Sequence, residues 1–160
     1  LLREAAKFLN DKNDYIGLDM QIHAIKKAFF MTDKDDTLSN LISSYVVRLL
    51  GANKEKFRID YKDKKGVLTY NIGNTSVIGN DFLVANPEFD FFIDITNKKT
   101  MSFRANGNVD VSAMAKHLVG GGGHVSASGG LFANFKDGFS YEAIKAQVVE
   151  LINKKTQEEI

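Results

Sequence analysis

At 160 residues, 44% hydrophobic and 26% charged, the chain has the composition of a soluble globular protein, with room for one domain and part of a second. It contains no cysteine, which excludes disulfides and thiolate metal sites and fits a reducing cytoplasm. A formal net charge of +1 excludes a global field that would attract nucleic acid, and no apolar run approaches the roughly 18 residues of a membrane span.

The chain opens on Leu1, not Met, and LLREAAKFLN has a helical pattern, not that of a signal peptide; the expectation is a fragment of a longer protein. Residues 1–30 are expected to be helical, with Leu18, Ile22, Ile25 and Phe29 at helical spacing. MTDKDDT, 31–37, is a polar break. Its Asp33, Asp35 and Asp36 lack the glycine turn and distal glutamate of a calcium loop, so they are read as a solvated connector that caps the next helix. In that helix Leu38, Leu41, Ile42, Tyr45, Val46, Leu49 and Leu50 form one apolar stripe, and Gly51 stands where a helix stops.

The period then changes, which divides the chain into a helical segment, 1–52, and an α/β unit, 53–160, of normal domain size. NKEKFRIDYKDKK, 53–65, carries six basic and three acidic residues and is read as a solvated loop or edge. A weak electrostatic lip for a polyanion is the alternative. Strands are expected at 66–72 and 89–95, the second so apolar that it should be central. Between them, 76–87 is a short helix ending before Pro87, the only proline. After a tight turn at 97–99, TMSFRA, 100–105, alternates: Met101, Phe103 and Ala105 face one way, Ser102 and Arg104 the other. Asn106 and Asn108 are expected to make turns and cap a helix over 109–118 that buries Val111, Met114, Ala115 and Leu118. A strand at 130–135 and a helix at 140–155, with Tyr141, Ile144, Val148 and Leu151 on one face, complete the pattern. The fold class is α/β: a compact mixed β-sheet with flanking helices, preceded by a helical N-terminal segment.

LVGGGGHVSASGG, 118–130, holds six of the 13 glycines, and Gly120, Gly121, Gly122 and Gly123 run directly into His124. Bare backbone lets a ligand approach closely, and successive N–H groups can converge on an anion. A helix beginning near His124 would add its positive end. His124 can donate to a phosphate oxygen, Arg104 offers a planar fork that fits phosphate, and Ser102 adds a hydroxyl. These seven residues make a phosphate cradle. The competing readings are a flexible linker for the glycines, a helix cap for His124 and a plain surface residue for Arg104.

Over SFRANGNVDVSAMAKHLVGGGGHVSASGG, 102–130, the sequence resembles the DHH-associated C-terminal domain of DHH-family phosphoesterases. An SFR strand, a VDVS-x-hydrophobic-A helix and a GGGGH-x-x-A-x-G loop stand in the family's order and spacing. Residues 77–95 resemble its preceding helix and strand, and the likeness covers about 58–155. Ala105 departs from the pattern, since relatives often carry serine there. The resemblance implies a substrate-binding domain. In the family it faces an N-terminal domain that holds two manganese-type divalent ions through aspartates and a DHH motif, and metal-activated water attacks the phosphodiester. This chain has no DHH, and His23, His117 and His124 do not cluster in sequence. The implied role is therefore the substrate-gripping part of a cytoplasmic hydrolase, with no metal or catalytic residue of its own. The expected activity is that of an oligoribonuclease-like exonuclease on short oligonucleotides. Adenosine bisphosphate, cyclic dinucleotides, single-stranded DNA and polyphosphate are the other substrates the family suggests. A non-catalytic nucleotide- or RNA-binding module is the alternative from another class, and a homodimer through helix 38–50 is a third.

Overall fold

Phe91–Ile95 forms a strand whose five residues are all buried, as a near-continuous apolar run requires when both faces of a sheet are covered. The computed structural model describes residues 38–158 apart from 139. The helices expected over 1–30 and the connector with Asp33, Asp35 and Asp36 lie outside the described residues. The chain divides into two compact units between Leu49 and Leu50, and the second unit carries the sheet.

In chain order the elements are α1 (Leu38–Ala52), α2 (Lys54–Phe57), β1 (Arg58–Tyr61), β2 (Lys64–Tyr70), α3 (Thr75–Ala85) and β3 (Phe91–Ile95). Then follow β4 (Thr100–Ala105), α4 (Val111–Val119), β5 (Gly122–His124), β6 (Ala127–Leu131) and α5 (Tyr141–Glu158). The sheet order is β1-β2-β3-β4-β6-β5, so the strand expected to be central has neighbours on both sides. Only β2 and β3 run parallel, and α3 makes the crossover between them. The basic stretch 53–65 becomes α2, the edge strand β1 and the start of β2.

Each face of the sheet has its own apolar layer, set by the period of two along each strand. On one face Leu68, Phe91, Ile93, Ile95, Met101 and Phe103 pack beneath α4 and α5. Helix α4 contributes Val111, Met114, Ala115 and Leu118, the four residues expected to face inward. Helix α5 contributes Ile144, Val148 and Ile152. On the other face α3 lies against β3 and β4, with the Phe82 ring 5.3 Å from Phe89 and 5.9 Å from Phe92. Burying one such ring is worth about 1.5–3 kcal/mol.

Four local expectations are corrected. Gly51 lies in the last turn of α1, not beyond it, and its φ is not positive. The cap of α4 is Asp110, whose Oδ1 accepts from the backbone N–H groups of Ser112 (2.9 Å) and Ala113 (3.2 Å). Asn106 and Asn108 make the expected turn, Asn106 Oδ1 accepting from Asn108 N–H at 3.2 Å, but they do not cap the helix; their side chains brace the loop by donating to Phe89 O and Asp90 Oδ1. The strand placed at 130–135 is Ala127–Leu131, because hairpin pairing with β5 draws it toward the turn.

Candidate phosphate-binding face

The strand register gathers the candidate residues into two rows. Arg104 pairs with Ala127, and Ala127 with His124; Ser102 pairs with Gly129, and Gly129 with Gly122. Partners in register project to the same face, and so do residues two apart along a strand. Adjacent strands lie about 4.8 Å apart, so the backbones of Arg104 and His124 stand roughly 10 Å apart with only the Ala127 methyl between them. Ser102 occupies the same relation to Gly122 across Gly129. This is the face that α3 covers over β3 and β4. An added Cβ at Gly79 of α3 would meet Arg104 Cγ at 3.2 Å, so the stem of Arg104 marks the border of that cover. Beyond it Ala127 and Gly129 are half-buried, and Gly122 and His124 are exposed.

The four consecutive glycines separate by cause. Gly120 ends α4 in the left-handed region at φ 68°, where a β-carbon is strained. A Cβ on Gly121 would lie 2.1 Å from Gly129 O, and one on Gly123, at φ 148°, 2.8 Å from Ala127 O. Those three are explained by folding. Gly122 is not: its φ is not positive and an added Cβ would meet nothing within 4 Å. It is the one member of the run whose missing side chain serves only the open face.

No helix begins near His124, so the expected contribution of a helix positive end is withdrawn. Gly122–His124 is the edge strand of a hairpin, and its glycine backbone is extended where a helix would curl. For the same reason His124 is not a helix cap. Its Nδ1 accepts from the Ser126 backbone N–H at 3.2 Å and lies 2.9 Å from Ser126 Oγ. With Nδ1 engaged as an acceptor, the imidazole carries its proton on Nε2, which makes Nε2–H the donor it offers. Asp110 stands close enough to His124 for the two to interact electrostatically. Its carboxyl is held below the usual range, first by the Ser112 hydroxyl, then by the Ala113 N–H, with His124 adding to the effect. Arg104 Nη1 donates to Phe103 O at 2.8 Å, which leaves the rest of the guanidinium fork available.

One polar residue in the same row was not singled out from the sequence. Asp94 of β3 pairs with Ser102 on one side and Thr69 on the other, so the row runs Thr69, Asp94, Ser102, Gly129, Gly122. Asp94 is only 1% exposed. Its Oδ1 accepts from Thr69 Oγ1 at 2.8 Å and from Ile72 N at 3.4 Å. Burial raises its pKa above the ordinary carboxylate value, with those two bonds acting in the other direction. The available signal was the single acid in FDFFIDI that interrupts an otherwise buried strand.

Among the described residues no three His, Asp or Glu side chains converge as a metal site. A cavity of about 240 Å³ lined by Phe132, Asn134, Gln147, Glu150, Leu151 and Lys154 contains none of the candidate residues. No helix among the described residues is long and apolar enough to cross a membrane.

No family model matches the chain. It is 39% identical over 154 residues to a 3',5'-cyclic-nucleotide phosphodiesterase of Helicobacter pylori, a match that covers 96% of this chain and 44% of that protein. The crystal structure of an uncharacterized protein from Helicobacter pylori G27 superposes with a TM-score of 0.74 at 38% identity, covering 94% of this chain and 43% of that one. The chain thus spans less than half the length of either relative. Nearly all of it, in sequence, is similar to one part of a bacterial phosphodiesterase.

Proposed function

We propose that this chain is the substrate-gripping part of a DHH-family phosphodiesterase that acts on short oligonucleotides. The observation that carries the reading is the pair of rows, Arg104–Ala127–His124 and Ser102–Gly129–Gly122, laid across three adjacent strands. Cationic and hydroxyl groups stand at β4, a histidine donor stands at β5, and the strand between them offers only a methyl and bare backbone. A phosphate resting on that floor accepts from the Arg104 fork at one side and His124 Nε2–H at the other. Gly122 admits the ligand's sugar-phosphate backbone where any larger residue would stand in its way. The resemblance of 102–130 to the DHH-associated domain and the similarity to a phosphodiesterase both support this assignment.

The two manganese-type ions that such an activity implies find no ligand set among the described residues. In this reading they belong to the part of the protein outside this chain, and the residues here bind and orient substrate. The chain by itself is then expected to turn over no phosphodiester. A second substrate reading, a 3',5'-cyclic nucleotide, is favoured by the name of the Helicobacter relative.

Binding of the dinucleotide pApA, 3',5'-cyclic AMP, adenosine bisphosphate, cyclic diadenylate and polyphosphate, measured by calorimetry on the 160-residue chain, tests the proposal and ranks the substrates. Tightest binding of pApA supports the oligonucleotide reading, and tightest binding of 3',5'-cyclic AMP supports the second. If none binds, or if Arg104→Ala leaves the binding unchanged, this face is not a phosphate site.

A further inference from the structure

A carboxyl beside an anion site needs explaining. Asp94 is 1% exposed, lies on a strand whose other residues are apolar, and is the cross-strand partner of Ser102. If ionised, it would place an unpaired negative charge behind the proposed phosphate floor, in a medium that screens charge poorly. Among the described residues no cation compensates it. β2 presents Thr69, and the segment 71–79 that leads into α3 holds no ionisable residue. β4 presents Ser102, with Arg104 two residues further along and bonded to Phe103 O.

The hydrogen bonds give the carboxyl a direction. Both bonds that it receives, from Thr69 Oγ1 and Ile72 N, fall on Oδ1, the pattern of a carbonyl oxygen. Oδ2 and the neighbouring Ser102 Oγ are engaged by no other group among the described residues. Cross-strand partners hold their β-carbons about 4.5–5.5 Å apart, so rotation of the Ser102 side chain brings these two atoms within hydrogen-bond reach.

We propose that Asp94 is a positioning residue for phosphate: in its neutral form it donates from Oδ2 to Ser102 Oγ, so that the Ser102 hydroxyl proton is free to point at the bound anion. This rests on the phosphate-binding reading above. An ionised Asp94 reverses the arrangement. It accepts the Ser102 proton, turns the oxygen lone pairs of Ser102 toward the phosphate and adds repulsion. An amide at position 94 mimics the neutral acid at every pH, since its oxygen accepts from Thr69 and Ile72 while its NH₂ donates to Ser102. Compared with an amide, the acid lets the grip loosen as pH rises.

The experiment measures pApA binding to the 160-residue chain at pH 5 and pH 8 for the parent, Asp94→Asn, Ser102→Ala, the double variant and Arg104→Ala. Thermal unfolding checks that each is folded. Asp94→Asn should bind like the parent where Asp94 holds its proton and roughly tenfold tighter where rising pH has ionised it, the effect of one charge-assisted bond. Most of that gain should vanish in the Ser102→Ala background. A purely structural Asp94, anchoring Thr69 and Ile72, predicts equal binding by Asp94→Asn and the parent at both pH values. That result, with Arg104→Ala weakened, overturns the role of Asp94 and leaves the phosphate face standing. A gain that persists in full without Ser102 overturns the hydroxyl relay. If Arg104→Ala binds like the parent, the phosphate face itself fails and this inference with it.

Discussion

Arg104 and His124 address each other across a single alanine: each is in register with Ala127, one from β4 and the other from the edge strand β5. Two donors so placed should act on the same ligand. Arg104→Ala should weaken pApA binding by roughly 1.5–3 kcal/mol, the range for hydrogen bonds to charged groups. His124→Ala should weaken it as well, because its ring N–H is the donor on the other side of the same floor. The double variant should lose less than the sum of the two, since both groups hold one phosphate. Strict additivity measured by calorimetry would place the two side chains on separate ligands or on none.

The glycine run should divide under substitution. Gly122→Val meets open space and an ordinary strand conformation, so the protein should stay folded with little change in Tm and lose pApA binding by more than tenfold. Gly121→Ala should instead destabilise by about 1–3 kcal/mol, because its Cβ runs into Gly129 O and backbone cannot step aside. Comparing denaturant midpoints with affinities for the two variants separates the roles. Should Gly122→Val bind like the parent, the open backbone there serves no ligand.

What could be read in advance was whatever repeats along the chain. The spacing of Val111, Met114, Ala115 and Leu118 marks one side of a helix, and alternation from Met101 to Ala105 marks one side of a strand; the structure buries both sets. The apolar run at 91–95 announced a strand covered on both faces. Periodicity says less about how deeply each position is buried: in α1 the stripe residue Ile42 is exposed whereas Leu50 is buried. It also fails for glycine, which has no side chain to alternate. β5 therefore reads as a loop in the sequence, although its extended form comes from hairpin pairing with β6. The site was legible only as a list of chemical types. That Ser102 and Arg104 share rows with Gly122 and His124 depends on strand order, with β6 inserted between β4 and β5, and no local pattern encodes that.

Asp110 ties the cap of α4 to the ligand side of the sheet, and its titration should show in stability. Its carboxyl is held below its usual 3.8 by the Ser112 hydroxyl and the Ala113 and Ser112 N–H groups, with a smaller push from His124. A folded-state pKa below the unfolded one contributes stability that is present above the unfolded value and lost as pH falls through the folded one. Asp110→Ala should therefore lower Tm at pH 7, and the gap to the parent should close as pH falls below about 3.8. A gap that stays constant from pH 7 to pH 2.5 means that the charge of Asp110 adds nothing to the cap.

Asp94 should show the opposite sign. Burial raises its folded-state pKa above the unfolded 3.8, and among the described residues no cation draws it back. The native state then holds that proton more tightly than the unfolded chain does. Stability linked to the group is full below 3.8 and falls as pH rises toward the folded pKa. An amide escapes this loss while keeping the bonds from Thr69 Oγ1 and Ile72 N, since both end on an oxygen that asparagine also possesses. Asp94→Asn should thus match the parent in Tm near pH 3 and exceed it by a few degrees at pH 7. Asp94→Leu, which leaves the Ile72 N–H and the Thr69 hydroxyl without that oxygen, should fall below the asparagine variant at every pH. Calorimetric scans of the three proteins between pH 3 and pH 8 read both comparisons. Parallel curves for Asp94→Asn and the parent would show that Asp94 titrates alike in the folded and unfolded chains. A leucine variant as stable as the asparagine one would show that the two bonds to Oδ1 contribute nothing.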